Sequence, residues 1–229
     1  SARLFADELR DSTGWVDVKV GLSAAFGIPN LGLALRIEPA GILYAGVRRK
    51  DCERIVSMTI ADGFVLPEFL VLDPRTKKRF LLYDDVPWVR QQTRQISRFF
   101  ASIQPESLSS VLNHQGYRGA ARALSMTQPE LLSEIQSSRL CGRGGVGFPT
   151  WRKLELAAGE LTFPKAVVGI CASGLAEALL SRSPHLIIEG MLIAAKTIGA
   201  RRGVIALQNV SLFTKTILEK AVRDAERNH

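Results

Sequence analysis

Cysteine is scarce in this 229-residue chain. Cys52, Cys141 and Cys171 are the only three, and no two of them form a Cys-x-x-Cys pair. That excludes a disulfide scaffold and an all-cysteine zinc or iron–sulfur site built within this chain. Histidine is equally rare: His114, His185 and His229 are scattered, with no metal-ligand spacing. No apolar run approaches the ~18 residues that a membrane span needs, and the longest stretch, Leu186–Ala195, is interrupted by Glu189. Asp7, Glu8 and Arg10 come too early for a signal peptide. These shortages lead us to expect a reducing, cytoplasmic setting, or the cytoplasmic or matrix side of a membrane-associated complex. The tryptophans, Trp15, Trp88 and Trp151, stand far apart. They are assigned to core or interface packing rather than to base stacking.

What is present is ordinary for a globular protein: 46% hydrophobic and 23% charged residues, which excludes a disordered chain. The length suits one large domain or two small ones. Lys and Arg outnumber Asp and Glu by 30 to 22, a net charge of +8. Such an excess suits an anionic cofactor, docking onto an acidic subunit, or nucleic acid. No nucleic-acid recognition module accompanies it. The short basic runs Lys77-Lys78-Arg79 and Arg201-Arg202 are expected on solvated faces.

Periodicity predicts an α/β chain. Ala2–Arg10 reads as a helix end. Val16, Val18 and Val20 alternate with polar residues as in a half-buried strand. Leu33, Leu35 and Ile37 do the same, and with Ile42–Val47 across Pro39-Ala40-Gly41 they make a hairpin. A helix is expected over Lys50–Ala61, with Ile55, Val56 and Thr59 inward and Cys52 on the exposed side. Residues 64–105 are weakly periodic and are expected to wrap over the surface as a connector. Short helices follow at Pro105–His114 and Ala120–Ser125, around Gly116 and Gly119. Thr127-Gln128-Pro129-Glu130 is a capping-box start for a helix to about Ser138. Beyond it come a helix at Thr150–Ala158, a buried strand at Lys165–Ile170 and an apolar helix at Pro184–Ile198 stopped by Gly199. A second buried strand, Val204–Leu207, and an amphipathic helix, Phe213–Arg227, complete a parallel unit. Cys171 and Cys141 are assigned to packing, and His114 and His185 to caps or turns.

The most unusual stretch is Gly142-Arg143-Gly144-Gly145-Val146-Gly147-Phe148-Pro149, four glycines in six residues. Without side chains, its backbone N–H groups can converge on an anion at the start of the next helix. Arg143 and Lys153 add positive charge there. The loop follows a helix, not a strand, so it is neither a Walker loop nor the usual dinucleotide fingerprint. It serves as a structural turn or as an anion cradle.

This stretch, followed by Lys153, resembles the flavin-phosphate loop of a known family. That family comprises the NADH-oxidising flavoprotein subunit of respiratory complex I and the related diaphorase subunits of NAD-linked hydrogenases and formate dehydrogenases. Asp84-Asp85-Val86-Pro87, Gln115-Gly116-Tyr117, Pro129-Glu130 and Ser138-Arg139-Leu140 resemble segments of the same family. So does Pro184-His185-Leu186-Ile187-Ile188-Glu189-Gly190-Met191 with Ala194-Ala195 and Ile198-Gly199-Ala200. Ile37–Tyr44 is similar to the hairpin of a thioredoxin-like [2Fe–2S] domain that some members carry in front.

The resemblance implies a partial thioredoxin-like domain at 1–63, a connector at 64–105 and a partial Rossmann-like FMN-binding domain at 106–229. It implies that Gly142, Arg143, Gly144, Gly145 and Gly147 line the FMN phosphate and ribityl chain. Lys153 would neutralise the phosphate and Phe148 would shape the pocket floor. Catalytic residues are not identified, and no metal ligands are expected. The sequence also departs from the family. Ala25 and Pro29 stand where its cluster cysteines belong, so no iron–sulfur cluster is expected in this chain. Cys171–Glu177 replaces its acidic flavin and NADH stretch, which weighs against NAD(H). Gln208-Asn209-Val210 replaces a Gly-Glu-Tyr. Trp151 and Leu154 exchange a glycine and a tryptophan beside the loop, partly filling the flavin pocket. The chain corresponds to the middle of a longer flavoprotein. Two roles remain open: an FMN-containing electron-input subunit of a multisubunit oxidoreductase, and a non-catalytic structural or assembly subunit derived from it.

Overall fold

A computed structural model describes residues 2–14, 16–21, 28, 30–100, 102–143, 145–172 and 174–227. Trp15, Ala25, Pro29, Gly144 and His229 lie outside the described residues. The structure is mixed α/β and separates into two compact units, Ser1–Ser102 and Ile103–His229.

The first unit is built around a hairpin, β1 (Ala34–Ile37) and β2 (Ile42–Ala45), paired antiparallel with Ile37 opposite Ile42. Both faces of β2 are buried, and they serve different cores. Ile42 and Tyr44 pack with Phe5 and Leu9 of α1 (Ala2–Ser12) and with Ile55 and Val56. Leu43 points the other way, into Val71, Phe80, Tyr83, Val86 and Val89. Covering a side chain of this size contributes about 1.5–3 kcal/mol, so both faces of β2 matter. The helix expected over Lys50–Ala61 begins as α2 (Cys52–Arg54) and widens to a π-helical turn at Ile55–Ala61. Ile55, Val56 and Thr59 are its buried residues, as their spacing indicates. The Tyr44 hydroxyl accepts the Leu66 N–H at 2.9 Å and shares a 2.9 Å hydrogen bond with Thr59.

Four expectations fail in this unit. Residues 16–21 form no strand; Val16 and Val20 lie against the core as irregular chain. Segment 64–105 does not skim the surface. Its hairpin, β3 (Val71–Leu72) and β4 (Arg79–Phe80), and the short helix α3 (Pro87–Arg90) bury Val71, Phe80 and Val89 against Leu43. Those apolar residues are spaced by turns rather than by a period, so no pattern announced them. Cys52 is buried, not exposed, and burial pushes its thiol up to about 11. Trp88, assigned to packing, is exposed.

The second unit starts with α4 (Leu108–Asn113), α5 (Arg118–Leu124) and α6 (Gln128–Ser137). The Thr127 N–H and hydroxyl both donate to Glu130 at 2.7 Å, which realises the predicted helix start and holds that carboxyl below its usual range. Then come α7 (Thr150–Gly159), β5 (Ala166–Cys171), α8 (Gly174–Arg182), α9 (Pro184–Ile198), β6 (Arg202–Leu207) and α10 (Leu212–Arg227). Gly199 ends α9 with φ +72. β5 and β6 pair in parallel, Val168 opposite Val204. Gly169 and Gly203 let Met191 of α9 lie on the sheet: a Cβ at either would come within 3.3–3.4 Å of its thioether. Cys171 is buried with Leu180 and Leu218, the packing role expected of it. The strands are not buried on both sides, however. Val168, Ile170 and Val204 face solvent, so only the helix-bearing face is covered.

The interior of this unit is organised by Glu189, the residue that breaks the apolar run. Its carboxylate accepts the backbone N–H groups of Tyr117 at 3.0 Å, Gly119 at 2.8 Å and Ala120 at 3.1 Å. These are the N-terminal donors of α5, so a side chain on α9 caps another helix. Glycine is required on both sides of this junction. A Cβ at Gly119 would lie 3.0 Å from the Glu189 carboxylate, and one at Gly116 only 2.3 Å from Val111. A 2.8 Å hydrogen bond joins the Tyr117 hydroxyl to His185 Nδ1. His185 is therefore neither cap nor turn but a fully buried core residue. Burial drives its pKa down and drives Tyr117 up to about 12, so a neutral phenol and a neutral imidazole share this hydrogen bond. Among the described residues, His185 Nε2 has no partner. His114 does close α4, with Nδ1 2.7 Å from the Ser110 carbonyl oxygen.

Two outcomes follow from this junction. Glu189→Ala leaves three N–H groups without an acceptor and should lower stability in urea unfolding by about 3 kcal/mol; Glu189→Gln should lose about half as much. His185 has a lower pKa folded than unfolded, so the unfolded state binds the extra proton. The stability it lends is present above about pH 6.5 and is lost as pH falls below that value. Lys220 and Asp224 of α10 act on the ring in opposite senses and leave the direction downward. His185→Gln should flatten the stability profile below about pH 6.5.

Candidate functional site: the glycine loop and the ends of the parallel strands

The glycine-rich segment is a loop pinched at its base. Gly142 N–H donates to the Phe148 carbonyl at 2.9 Å, and Thr150 N–H donates to the Leu140 carbonyl at 2.9 Å. Cys141 and Pro149 form an antiparallel bridge there. The bonds fix the mouth whatever the loop contains. Gly145 and Gly147 have φ of +63 and +67, where an L side chain is strained. An added Cβ at Gly145 would meet nothing within 4 Å, so conformation and not crowding demands glycine there.

The loop is open to solvent. Gly142, Arg143, Gly145 and Phe148 are exposed, Gly147 is half-buried, and Val146 at the tip is 94% exposed. Lys153 sits on the first turn of α7 and is also exposed. Among the described residues, neither Arg143 nor Lys153 is paired with a carboxylate. Their charge and the N-terminus of a ten-residue helix stand beside an accessible glycine backbone. An anion fits this donor set. Of the expected cofactor-binding residues, the structure brings Gly142, Arg143, Gly145, Gly147 and Phe148 into one loop with Lys153 next to it; Gly144 lies outside the described residues. Cys141, assigned to packing, is exposed, its thiol directed at the Arg139 carbonyl at 3.5 Å.

The second part of the site lies at the carboxyl ends of β5 and β6, where α/β sheets hold ligands. Sequence reasoning passed over its main contact. Glu177 accepts the Ser211 N–H at 2.7 Å and the Thr214 hydroxyl at 3.0 Å, which ties α8 to the start of α10. Those donors hold its carboxyl below the usual range. The one acidic side chain of Cys171–Glu177 is thus engaged inside the unit rather than offered to a ligand. Ile170, Leu175, Leu212 and Phe213 are exposed around it. The Glu189 junction was also missed, although a single carboxylate within an apolar helix was a legible signal. Among the described residues no group of His, Cys, Asp and Glu is placed to hold a metal ion, and no helix is long and apolar enough to cross a membrane.

A parallel strand pair covered by helices on one face, preceded by a helix-led glycine loop, is an α/β class of fold. Residues 135–229 match the family model described as the Nuo51 FMN-binding domain. The chain is homologous to oxidoreductase and hydrogenase subunits over part of their length. It is 35% identical to the NADP-reducing hydrogenase subunit HndC of Solidesulfovibrio fructosivorans over 140 residues, 59% of this chain and 29% of that protein. It is 31% identical to an NADH-quinone oxidoreductase subunit of Aquifex aeolicus over 128 residues, 53% of this chain and 29% of that protein. With the NAD-reducing hydrogenase HoxS alpha subunit of Cupriavidus necator it shares 33% over 110 residues, 45% of this chain and 18% of that protein. A chain of a crystallised NAD+-reducing [NiFe]-hydrogenase aligns with 98% of this chain at 18% identity and a TM-score of 0.45, using 38% of its own length. The chain therefore spans less than a third of the first curated relatives it matches.

The left-handed glycines allow a direct check. Gly145→Ala and Gly147→Ala should each cost about 1–2 kcal/mol, read as a lower melting temperature. Val146→Ala, at the solvent-facing tip, should leave it unchanged.

Proposed function

We propose that this chain is the flavin-seating part of an electron-input subunit in a multisubunit NAD(H)-linked oxidoreductase. The observation that carries the reading is the pinched, exposed glycine loop with Arg143 and Lys153 uncommitted beside the α7 N-terminus. In this reading Gly142, whose N–H is held by the Phe148 carbonyl, lines the ribityl chain, and Gly144, Gly145 and Gly147 bring backbone N–H groups to the FMN phosphate. Arg143 and Lys153 neutralise it, and Phe148 borders the ring system. FMN, when bound, supplies hydride acceptance and single-electron release. The chain's own work is to grip the phosphate and orient what is attached to it. The partial family match and the relatives' names support this assignment.

In the same proposal residues 1–63 derive from a thioredoxin-like domain without cluster cysteines, 64–105 join it to the rest, and 106–229 form the FMN-binding part. In this reading electrons leave to iron–sulfur clusters on partner subunits; the three cysteines of these 229 residues are too few and too dispersed to hold one. The cysteines form no disulfide, which suits a cytoplasmic setting.

A second reading, a non-catalytic structural subunit, is favoured by one observation. Glu177 is consumed by Ser211 and Thr214, which leaves no acidic group at the described strand ends to place NADH. The two readings part on chemistry: NADH-dependent dye reduction by the FMN-loaded chain belongs to the first alone.

Titrating the purified chain with FMN and with riboflavin tests the phosphate seat. FMN should bind at least about tenfold more tightly, and Lys153→Gln should remove about that factor, near 1.4 kcal/mol. Equal affinity for the two flavins, or none for either, overturns the proposal.

A further inference from the structure

The buried imidazole of the second unit is only half satisfied. His185 lies in the first turn of α9, 1% exposed, with Nδ1 2.8 Å from the Tyr117 hydroxyl. Nε2, on the opposite edge of the ring, has no hydrogen-bond partner among the described residues. Whichever nitrogen of the neutral ring carries the proton, one buried polar atom goes unused. Such an atom costs stability, so its presence calls for a physical reason.

The neighbouring helix supplies one. Ala221 and Ala225 of α10 pack with Tyr117 and Ile188 beside the ring. Among the described residues, the charged groups that act on His185 stand on the same helix: Asp224 favours the charged ring and Lys220 disfavours it. The Asp224 side chain is 22% exposed and is held by Lys220, whose side chain is 45% exposed. That bond keeps the Asp224 carboxyl below its usual range, and Arg227 and His185 act in the same sense. Glu189, on α9 itself, acts on Tyr117 rather than on the ring, and the Tyr117 phenol carries no charge near neutral pH.

We propose that His185 and Asp224 form an acid-operated clasp between α9 and α10. With the ring neutral, Lys220 holds Asp224. When the ring takes a proton, both of its nitrogens become donors. Nδ1–H then donates to the Tyr117 oxygen, whose residue is fixed in place by the bond from its own N–H to Glu189. Nε2–H needs an acceptor, and Asp224 is the ionised carboxylate on the helix packed there. The carboxylate passes from Lys220 to the imidazolium, and the exposed ammonium returns to water. One proton is taken up, and a partly exposed ion pair is exchanged for a more buried, charge-assisted one. The Glu189 junction keeps its three donors, so the rearrangement belongs to the last turns of α10, residues 220–227, within the folded chain. Every group involved is interior to this unit, and the glycine loop takes no part.

The experiment follows the His185 ring nitrogens, the Asp224 carboxyl carbon and the α10 amides by NMR in the full chain as pH is lowered from neutral. The ring should titrate once, below about pH 6.5. The Asp224 carbon and the amides of residues 220–227 should shift with the same midpoint. Asp224→Asn should move the ring midpoint to lower pH, and Lys220→Gln should move it to higher pH. Neither side chain belongs to the Glu189 junction, so both variants should fold. The proposal is overturned if Asp224 and α10 stay silent while the ring titrates, or if Asp224→Asn leaves the midpoint where it was. It is also overturned if the chain unfolds before the ring takes its proton.

Discussion

A single carboxylate under three backbone N–H groups holds the helical half of the second unit together. Glu189 projects from α9 into the N-terminus of α5, and several local oddities become necessary once it is there. Gly119 must lack a side chain because the carboxylate occupies that space. Tyr117 takes a left-handed backbone, φ +61, to present its N–H to Glu189 while its hydroxyl reaches His185. Gly116 must let the chain turn against Val111. A buried carboxylate with one weak partner would be costly; with three donors and the positive end of a helix it becomes a structural fastener. α9 also lies on the sheet through Met191, so one helix sets both the strand pair and the preceding helices.

The candidate site draws on that frame without sharing its residues. α7 emerges from the glycine loop, and β5 follows α7, so the anion-binding donors and the strand ends are placed by consecutive elements. The two parts differ in how available their polar groups are. At the loop, beyond the bonds of its pinched base, two cations are not paired with a carboxylate. At the strand ends, Glu177 is already satisfied by Ser211 and Thr214. The loop thus presents free cationic groups to solvent, whereas the strand ends present exposed apolar side chains such as Ile170, Leu175 and Phe213. This asymmetry separates gripping a cofactor from using it.

Much of the second unit was legible in the sequence because its signals are local. The Thr127–Glu130 box, Gly199 after an apolar helix and the glycine loop each act within a few residues, and each lies where it was expected. In the first unit the hairpin was legible by alternation. The packing of Val71, Phe80 and Val89 beneath Leu43 was not, because tertiary contact rather than period puts them there. Residues 16–21 mislead for the converse reason: they alternate, yet no neighbouring strand gives them a ladder. Cys52, Cys141 and Trp88 were misplaced because the burial of one residue depends on what crosses above it. The Glu189 and Glu177 contacts span long sequence separations, and a lone acidic residue was the only hint of either.

The pinch at the base of the glycine loop has a consequence for how the protein can change. Backbone bonds at Gly142, Phe148, Thr150 and Leu140 set the mouth, while Arg143 and Val146 lie outside any core. Recognition is thereby uncoupled from folding at this position. Substitutions at Arg143 or Val146 can change what the loop presents to solvent without disturbing the scaffold, whereas Gly145 and Gly147 are held by their left-handed backbone. Sequence drift at the exposed tip is therefore tolerated by a shell that closes beneath it.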